Sequence, residues 1–195
     1  MYFVNQEYSN LYEIKKSKLY AHLVPYTDFK KTMDILKKKH QKARHFVYAY
    51  RYLNEFNQIV ENSSDDGEPK GTSGKPALAV IAGANIINSA VIIVRYFGGI
   101  KLGTGGLVRA YGSSVKEVLN VSILNKFVKL NKIKIYFDYE QVSKVEYLIS
   151  TFDINIISKE FGQKVDFTLE SSQETFNLFK EELYRDIIVE NVIDE

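Results

Sequence analysis

The stretch Val91-Ile92-Ile93-Val94-Arg95-Tyr96-Phe97-Gly98-Gly99-Ile100-Lys101-Leu102-Gly103-Thr104-Gly105-Gly106 changes character twice. It opens on four consecutive β-branched residues, the pattern of a strand buried on both faces. It then runs through glycines, after which Leu107, Val108, Tyr111, Val115, Val118 and Leu119 recur at helical spacing. A strand, a glycine turn and a helix in succession expose the first N–H groups of the helix, which the macrodipole and Lys101 help to turn into an anion site. Glycines at 98, 99, 103, 105 and 106 let a ligand approach the backbone. The spacing departs from both phosphate signatures: there is no Gly-x4-Gly-Lys-Ser/Thr, and Val108 stands where a dinucleotide fingerprint needs its third glycine. Two readings stay open here, an anion site and a tight strand-to-helix packing whose turns only glycine allows.

Upstream, residues 62–76 (Asn-Ser-Ser-Asp-Asp-Gly-Glu-Pro-Lys-Gly-Thr-Ser-Gly-Lys-Pro) concentrate turn formers and predict the longest loop. Pro76 suits the first turn of a short helix that Gly83 ends. The loop's Asp65, Asp66 and Glu68 are oxygen donors suited to a hard cation, but the ligand series of a calcium hand is missing. The competing reading has them bind nearby backbone N–H groups, with Thr72 or Ser73 capping the helix. Arg95, ending an apolar strand, needs a partner. It either pairs with the acidic loop or faces an anion together with Lys101 and Arg109.

Earlier still, Leu19, Ala21 and Leu23 alternate at the end of a strand expected to begin near Tyr12 and to close at Pro25. Phe29, Met33, Leu36 and His40 mark an amphipathic helix over 28–41 whose lysines solvate the far side. His45 to Leu53 alternates Phe46, Tyr48, Tyr50 and Tyr52 against Val47, Ala49 and Arg51, a strand expected to pair with one around 58–61. The tyrosine stripe reads as core, with a stacking platform for unpaired bases as the alternative.

Beyond residue 125 the order is β-α-β-β-α-β. Ile133, Ile135 and Phe137 alternate in one strand, and Val142, Val145, Leu148, Ile149 and Phe152 share a helix face. Strands around 154–159 and 164–170 flank a turn at Phe161-Gly162-Gln163, Phe176, Phe179 and Leu183 mark a second helix, and 187–189 a last strand. That is the order of the ferredoxin-like split β-α-β. The fold class is therefore α+β in two domains, 1–125 and 126–195.

The charge divides the same way: residues 1–125 hold 17 Lys/Arg against 10 Asp/Glu, residues 126–195 hold 9 against 14, and the whole chain is +2. A basic first half points to phosphate-rich or acidic partners, against the plainer reading of solvated helix faces. No cysteine is present, which removes disulfides, thiolate metal sites and cysteine nucleophiles. His22, His40 and His45 lack metal-ligand spacing, and no Gly-x-Ser-x-Gly elbow accompanies them. No metal, cofactor or catalytic residue is expected. Without a signal-like N-terminus or an apolar run of about 18 residues, the expected location is the cytoplasm, with no membrane partner.

Two ordered motifs carry a resemblance. They are Ser64-Asp65-Asp66-Gly67-Glu68-Pro69-x-Gly71-Thr72-x-Gly74-x-Pro76, and Val94-Arg95-Tyr96-Phe97-Gly98-Gly99-x-x-Leu102-Gly103-x-Gly105-Gly106-Leu107-x-Arg109-Ala110-Tyr111. With Glu13 to Lys18 and Ala43-Arg44-His45, they make the chain resemble the YigZ/IMPACT family, as a bacterial YigZ-type two-domain member. The resemblance implies an N-terminal α/β domain like ribosomal-protein and translation-factor modules, similar to domain IV of elongation factor G, followed by a ferredoxin-like one. It implies binding in the translation machinery, to ribosomal RNA or a ribosome-bound factor, and no DNA. Eukaryotic IMPACT members bind the activator of an amino-acid-starvation kinase through a further domain with no counterpart in this sequence. The motif residues Asp65, Asp66, Glu68, Thr72, Arg95, Gly98, Gly99, Lys101, Gly103, Gly105, Gly106 and Arg109 are carried over as a candidate surface for a ligand or partner. An enzyme acting on a phosphate-bearing or other anionic small molecule between the two motif loops is the alternative.

Overall fold

The computed structural model describes residues 1–183 and 187–192. Its strands and five helices fall into two units, Met1–Phe127 and Val128–Glu195.

The first unit contains β1 (Tyr2–Phe3), β2 (Tyr8–Ile14), β3 (Ser17–Pro25), α1 (Phe29–Lys39), β4 (His45–Leu53), β5 (Ile59–Ser64), α2 (Gly74–Gly83), β6 (Ser89–Tyr96), α3 (Thr104–Asn120) and β7 (Asn125–Lys126). Five strands form one sheet in the order β2-β3-β6-β4-β5, antiparallel at every junction. The β-branched strand β6 is central because helices cover both its sides. Val91 and Ile93 join Ala77, Ile81, Tyr111 and Val115 of α2 and α3 on one face. Ile92 and Val94 meet Leu36 of α1 on the other. All four β6 side chains are fully buried, each such burial contributing about 1.5–3 kcal/mol. The aromatic stripe lies under the α1 face but is only half-buried. Its rings stack among themselves and on Tyr26 and Phe29, the Tyr26–Tyr52 pair being parallel at 4.1 Å.

Three expectations for this unit need correction. The strand read as starting near Tyr12 is a hairpin: β2 and β3 pair from Tyr8↔Leu23 to Ile14↔Ser17. The turn is Lys15-Lys16, with φ of 46° and 62°. Both residues sit in the left-handed region that such two-residue turns demand, and neither is the Gly or Asn that would have announced it. Next, β5 runs on to Ser64, three residues further than the turn-rich composition of 62–76 suggested, because pairing with β4 satisfies its backbone. Third, neither Thr72 nor Ser73 caps α2. The Thr72 hydroxyl donates to Pro69 O, and Ser73 occupies the N-cap position without a side-chain cap bond.

Asp65 does the capping from eight residues upstream. Its Oδ1 accepts from Ser73 N–H at 3.1 Å, Gly74 N–H at 2.8 Å and the Ser73 hydroxyl at 2.7 Å, and its Oδ2 from Gly71 N–H at 2.7 Å. Burial disfavours the charged form, but these four bonds outweigh it and hold the carboxyl at about 2 against the ordinary 3.8. The second motif is pinned as well. A Cβ on Gly98 would fall 2.0 Å from the Lys16 carbonyl carbon, so only glycine lets this turn cross the β2–β3 hairpin.

The second unit comprises β8 (Leu130–Phe137), α4 (Val142–Thr151), β9 (Asn155–Phe161), β10 (Val165–Ser172), α5 (Gln173–Glu182) and β11 (Ile188–Asn191). Its antiparallel sheet has the order β11-β8-β10-β9. Ile133, Ile135, Phe137, Val165, Phe167 and Leu169 form one core with Val145, Ile149, Phe176 and Phe179, so both helices cover the same face. The hairpin turn lies one residue later than read, since Phe161 still pairs with Val165.

Two outcomes follow from the pinned loops. Asp65→Ala lowers stability by about 1–2 kcal/mol at neutral pH, measured by urea denaturation. Since the folded-state pKa is depressed, the contribution is complete above the unfolded value and is lost as pH falls through about 2. The gap between wild type and variant therefore narrows as the measurement is moved from neutral pH into that acid range. Gly98→Ala costs more, about 3 kcal/mol in the same assay, because the atoms it meets are backbone.

Candidate functional site

Arg95 and His45 are register neighbours on β6 and β4, and Leu19 of β3 completes their row. On that face they end the core beneath α3. A guanidinium buried to 6% exposure needs a counter-charge, which the Glu68 carboxylate supplies from the turn-rich loop. Arg95 Nη1 donates to Glu68 Oε1, and the Tyr111 hydroxyl of α3 donates to the same oxygen at 2.9 Å. Burial, and then the adjacent carboxylate, push the Tyr111 phenol far above its usual range, so it remains a donor. His45 Nδ1 donates to Asp66 O at 2.9 Å, since a carbonyl only accepts. This directs Nε2 toward Glu68 Oε1, 3.9 Å away. The Asp66 carboxylate holds the loop against β4, accepting from Phe46 N–H at 2.6 Å.

Two cavities open beside this cluster and share Arg95 and Phe97. One, of about 410 Å³, is lined by Lys42, Arg44, His45 and Tyr96 in addition. The other, of about 320 Å³, is walled by the apolar side chains Pro69, Phe97, Leu102 and Leu107, together with Glu68, Lys101 and the start of α3 at Gly103 and Thr104. Residues of the two motif loops thus line one cavity. Because Glu68 offsets Arg95, the uncompensated charge comes from Lys42, Arg44 and Lys101, which are exposed and have no ion-pair partner among the described residues. Arg95 Nε is buried without a hydrogen-bond partner. No side chain caps α3, and Gly103 enters it at a φ of 72°.

The candidate residues separate into distinct positions. Glu68, Arg95, Lys101 and Gly103 line the 320 Å³ cavity. Asp65, Asp66 and Thr72 are engaged with backbone groups of the loop and its neighbours. Of the two roles left open for Arg95, the structure has it paired with the acidic loop. Gly98 and Gly99 form the turn after β6, Gly105 and Gly106 the first turn of α3, and none of the four lines either cavity. Arg109 is exposed on α3 and lines neither. Among the described residues no cluster of histidines and carboxylates could hold a metal. The pattern reading missed Lys42, which no local signal marks, and gave Tyr111 only a helix-core role because its spacing fits the apolar stripe.

Removing the charge of Glu68 leaves the guanidinium buried and unpaired. Glu68→Gln therefore costs about 3 kcal/mol in urea denaturation, while Tyr111→Phe, which deletes one bond to the carboxylate, costs about 1.5 kcal/mol. An equal, small effect of both would show that the pair carries no such weight.

The chain matches the model of the Impact N-terminal domain over residues 15–119 and that of a domain of unknown function, DUF1949, over 135–184. It is 35% identical over 174 residues to the IMPACT family member of Haemophilus influenzae, covering 88% of this chain and 84% of that one. It is 35% identical over 152 residues to IMPACT family member YigZ of Escherichia coli, covering 76% and 74%. A crystal structure of a hypothetical protein superposes with a TM-score of 0.67 at 28% identity, over 100% of this chain and 98% of that one. The protein belongs to the IMPACT family, with relatives that share its two domains over most of their length.

Proposed function

We propose that this protein regulates translation by binding, its basic first unit contacting ribosomal RNA and its acidic second unit setting orientation or a second contact, in the cytoplasm. The observation that carries this reading is the basic cavity, where Lys42 and Arg44 share a wall with the exposed ring of Phe97. Cations arranged beside an exposed aromatic are what a phosphate backbone with accessible bases requires. Family membership supports the link to translation, since the resemblance set out above implies it. The first unit is read as a module like domain IV of elongation factor G. The second is read as ferredoxin-like, on its strand order and its two helices on one face. Among the described residues no helix is long and apolar enough to cross a membrane.

A second reading is an enzyme acting on a small anionic molecule. It is favoured by the convergence of Glu68, Arg95 and Lys101 on the 320 Å³ cavity.

Sedimenting lysate at low and high salt separates the two. Under the RNA reading the protein enters the ribosomal fraction at low salt and leaves it as salt rises. Replacing Lys42 and Arg44 together by glutamine reduces the slope of log affinity against log salt by about 2. No ribosomal fraction at any salt rejects the reading.

A further inference from the structure

The two cavities differ in chemistry although they share a wall. One is cationic, with Lys42 and Arg44 free of ion-pair partners among the described residues, and the other is mostly apolar. The shared wall is Phe97 beside Arg95, the guanidinium carbon lying 5.9 Å from the ring centroid. Arg95 is held by Glu68, whereas Phe97 is 58% exposed. One side of the ring is thus backed by a fixed cation while much of its surface stays open. An exposed phenylalanine between a cationic and an apolar compartment matches a ligand that has an aromatic plane at one end and an anion at the other.

We propose that the paired cavities hold a single nucleotide unit, with its base against Phe97 and Leu102 in the apolar cavity and its phosphate between Lys42 and Arg44. This rests on the RNA reading above and deepens it: the RNA contact is a single-stranded one, with one base taken out of its stack. Polar groups on the apolar side fit a base edge as well. Both hydrogen bonds to the Glu68 carboxylate go to Oε1, which leaves Oε2 as an acceptor, and Lys101 lines the same cavity as a donor. A base presents both donors and acceptors on its edges. A cavity of about 320 Å³ lies at the small end of the usual ligand range and has room for one base.

The test measures binding of a short single-stranded RNA, the matching duplex, a nucleoside monophosphate and ribose 5-phosphate by fluorescence anisotropy or calorimetry. It uses the full chain, Phe97→Ala and the Lys42→Gln/Arg44→Gln double variant. Phe97 is exposed, so its variant keeps the fold, which circular dichroism checks. Phe97→Ala should weaken single-stranded RNA about tenfold or more at any salt, and the double variant should weaken it in a salt-dependent way. Duplex and sugar phosphate should bind worse than the single strand. If the monophosphate also binds and loses affinity with Phe97→Ala, the ligand is a free nucleotide; if only the RNA does, it is a nucleotide within a chain, and either result supports the site. Unchanged affinity for both ligands in Phe97→Ala, or binding of neither ligand by the wild type, overturns it. Salt-sensitive ribosomal sedimentation that survives Phe97→Ala would leave the translation reading standing and remove the nucleotide site. Phe97-dependent monophosphate binding without ribosomal sedimentation would do the reverse.

Discussion

The first unit is organised around a buried ion pair. Arg95 lies one residue from the end of the central strand, where the hydrophobic core gives out, and a guanidinium there is tolerable only beside a counter-charge. Glu68 provides it from a loop 27 residues earlier in the chain, and Tyr111 adds a hydrogen bond from α3. A strand, a loop and a helix are thereby tied to one carboxylate oxygen. The loop cannot drift without exposing the pair to loss of its partner, and this couples the position of the two motifs to the integrity of the core.

The loop itself is held in place for a related reason. Backbone N–H groups in the loop and on the strand beside it would be costly if left unpaired, and two adjacent aspartates satisfy them in opposite directions. Asp65 reaches forward to the start of α2, and Asp66 reaches back to β4. Acidic side chains that resemble cation ligands in the sequence are thus spent on amides. The cationic groups nearby are not so engaged, and this asymmetry gives the surface its chemical character.

How much of this was legible depended on whether the signal was local. The β-branched run at 91–94, the helical spacing from Leu107 to Val118 and the alternation of Ile133, Ile135 and Phe137 are periodic patterns, and each became the element they described. The hairpin at Lys15-Lys16 was hidden because lysine at positive φ violates the usual turn chemistry. The Asp65 cap was hidden because its target lies eight residues away, outside the spacing of ordinary caps. Arg95 was recognisable as a residue in need of a partner, since burial of a charge is a constraint visible in one dimension. Which partner it took depended on tertiary packing, and so did the convergence of Lys42 with Phe97 across fifty-odd residues of chain.

The short β1–β7 pair has a bearing on how such proteins are assembled. Phe127 N–H bonds to Met1 O at 2.9 Å, and Tyr2 pairs with Lys126, so the polypeptide leaves the first unit where it entered. A block whose entrance and exit adjoin can be spliced beside different neighbours without disturbing its interior. That is a geometry open to recombination, in which one module can be joined to different neighbours.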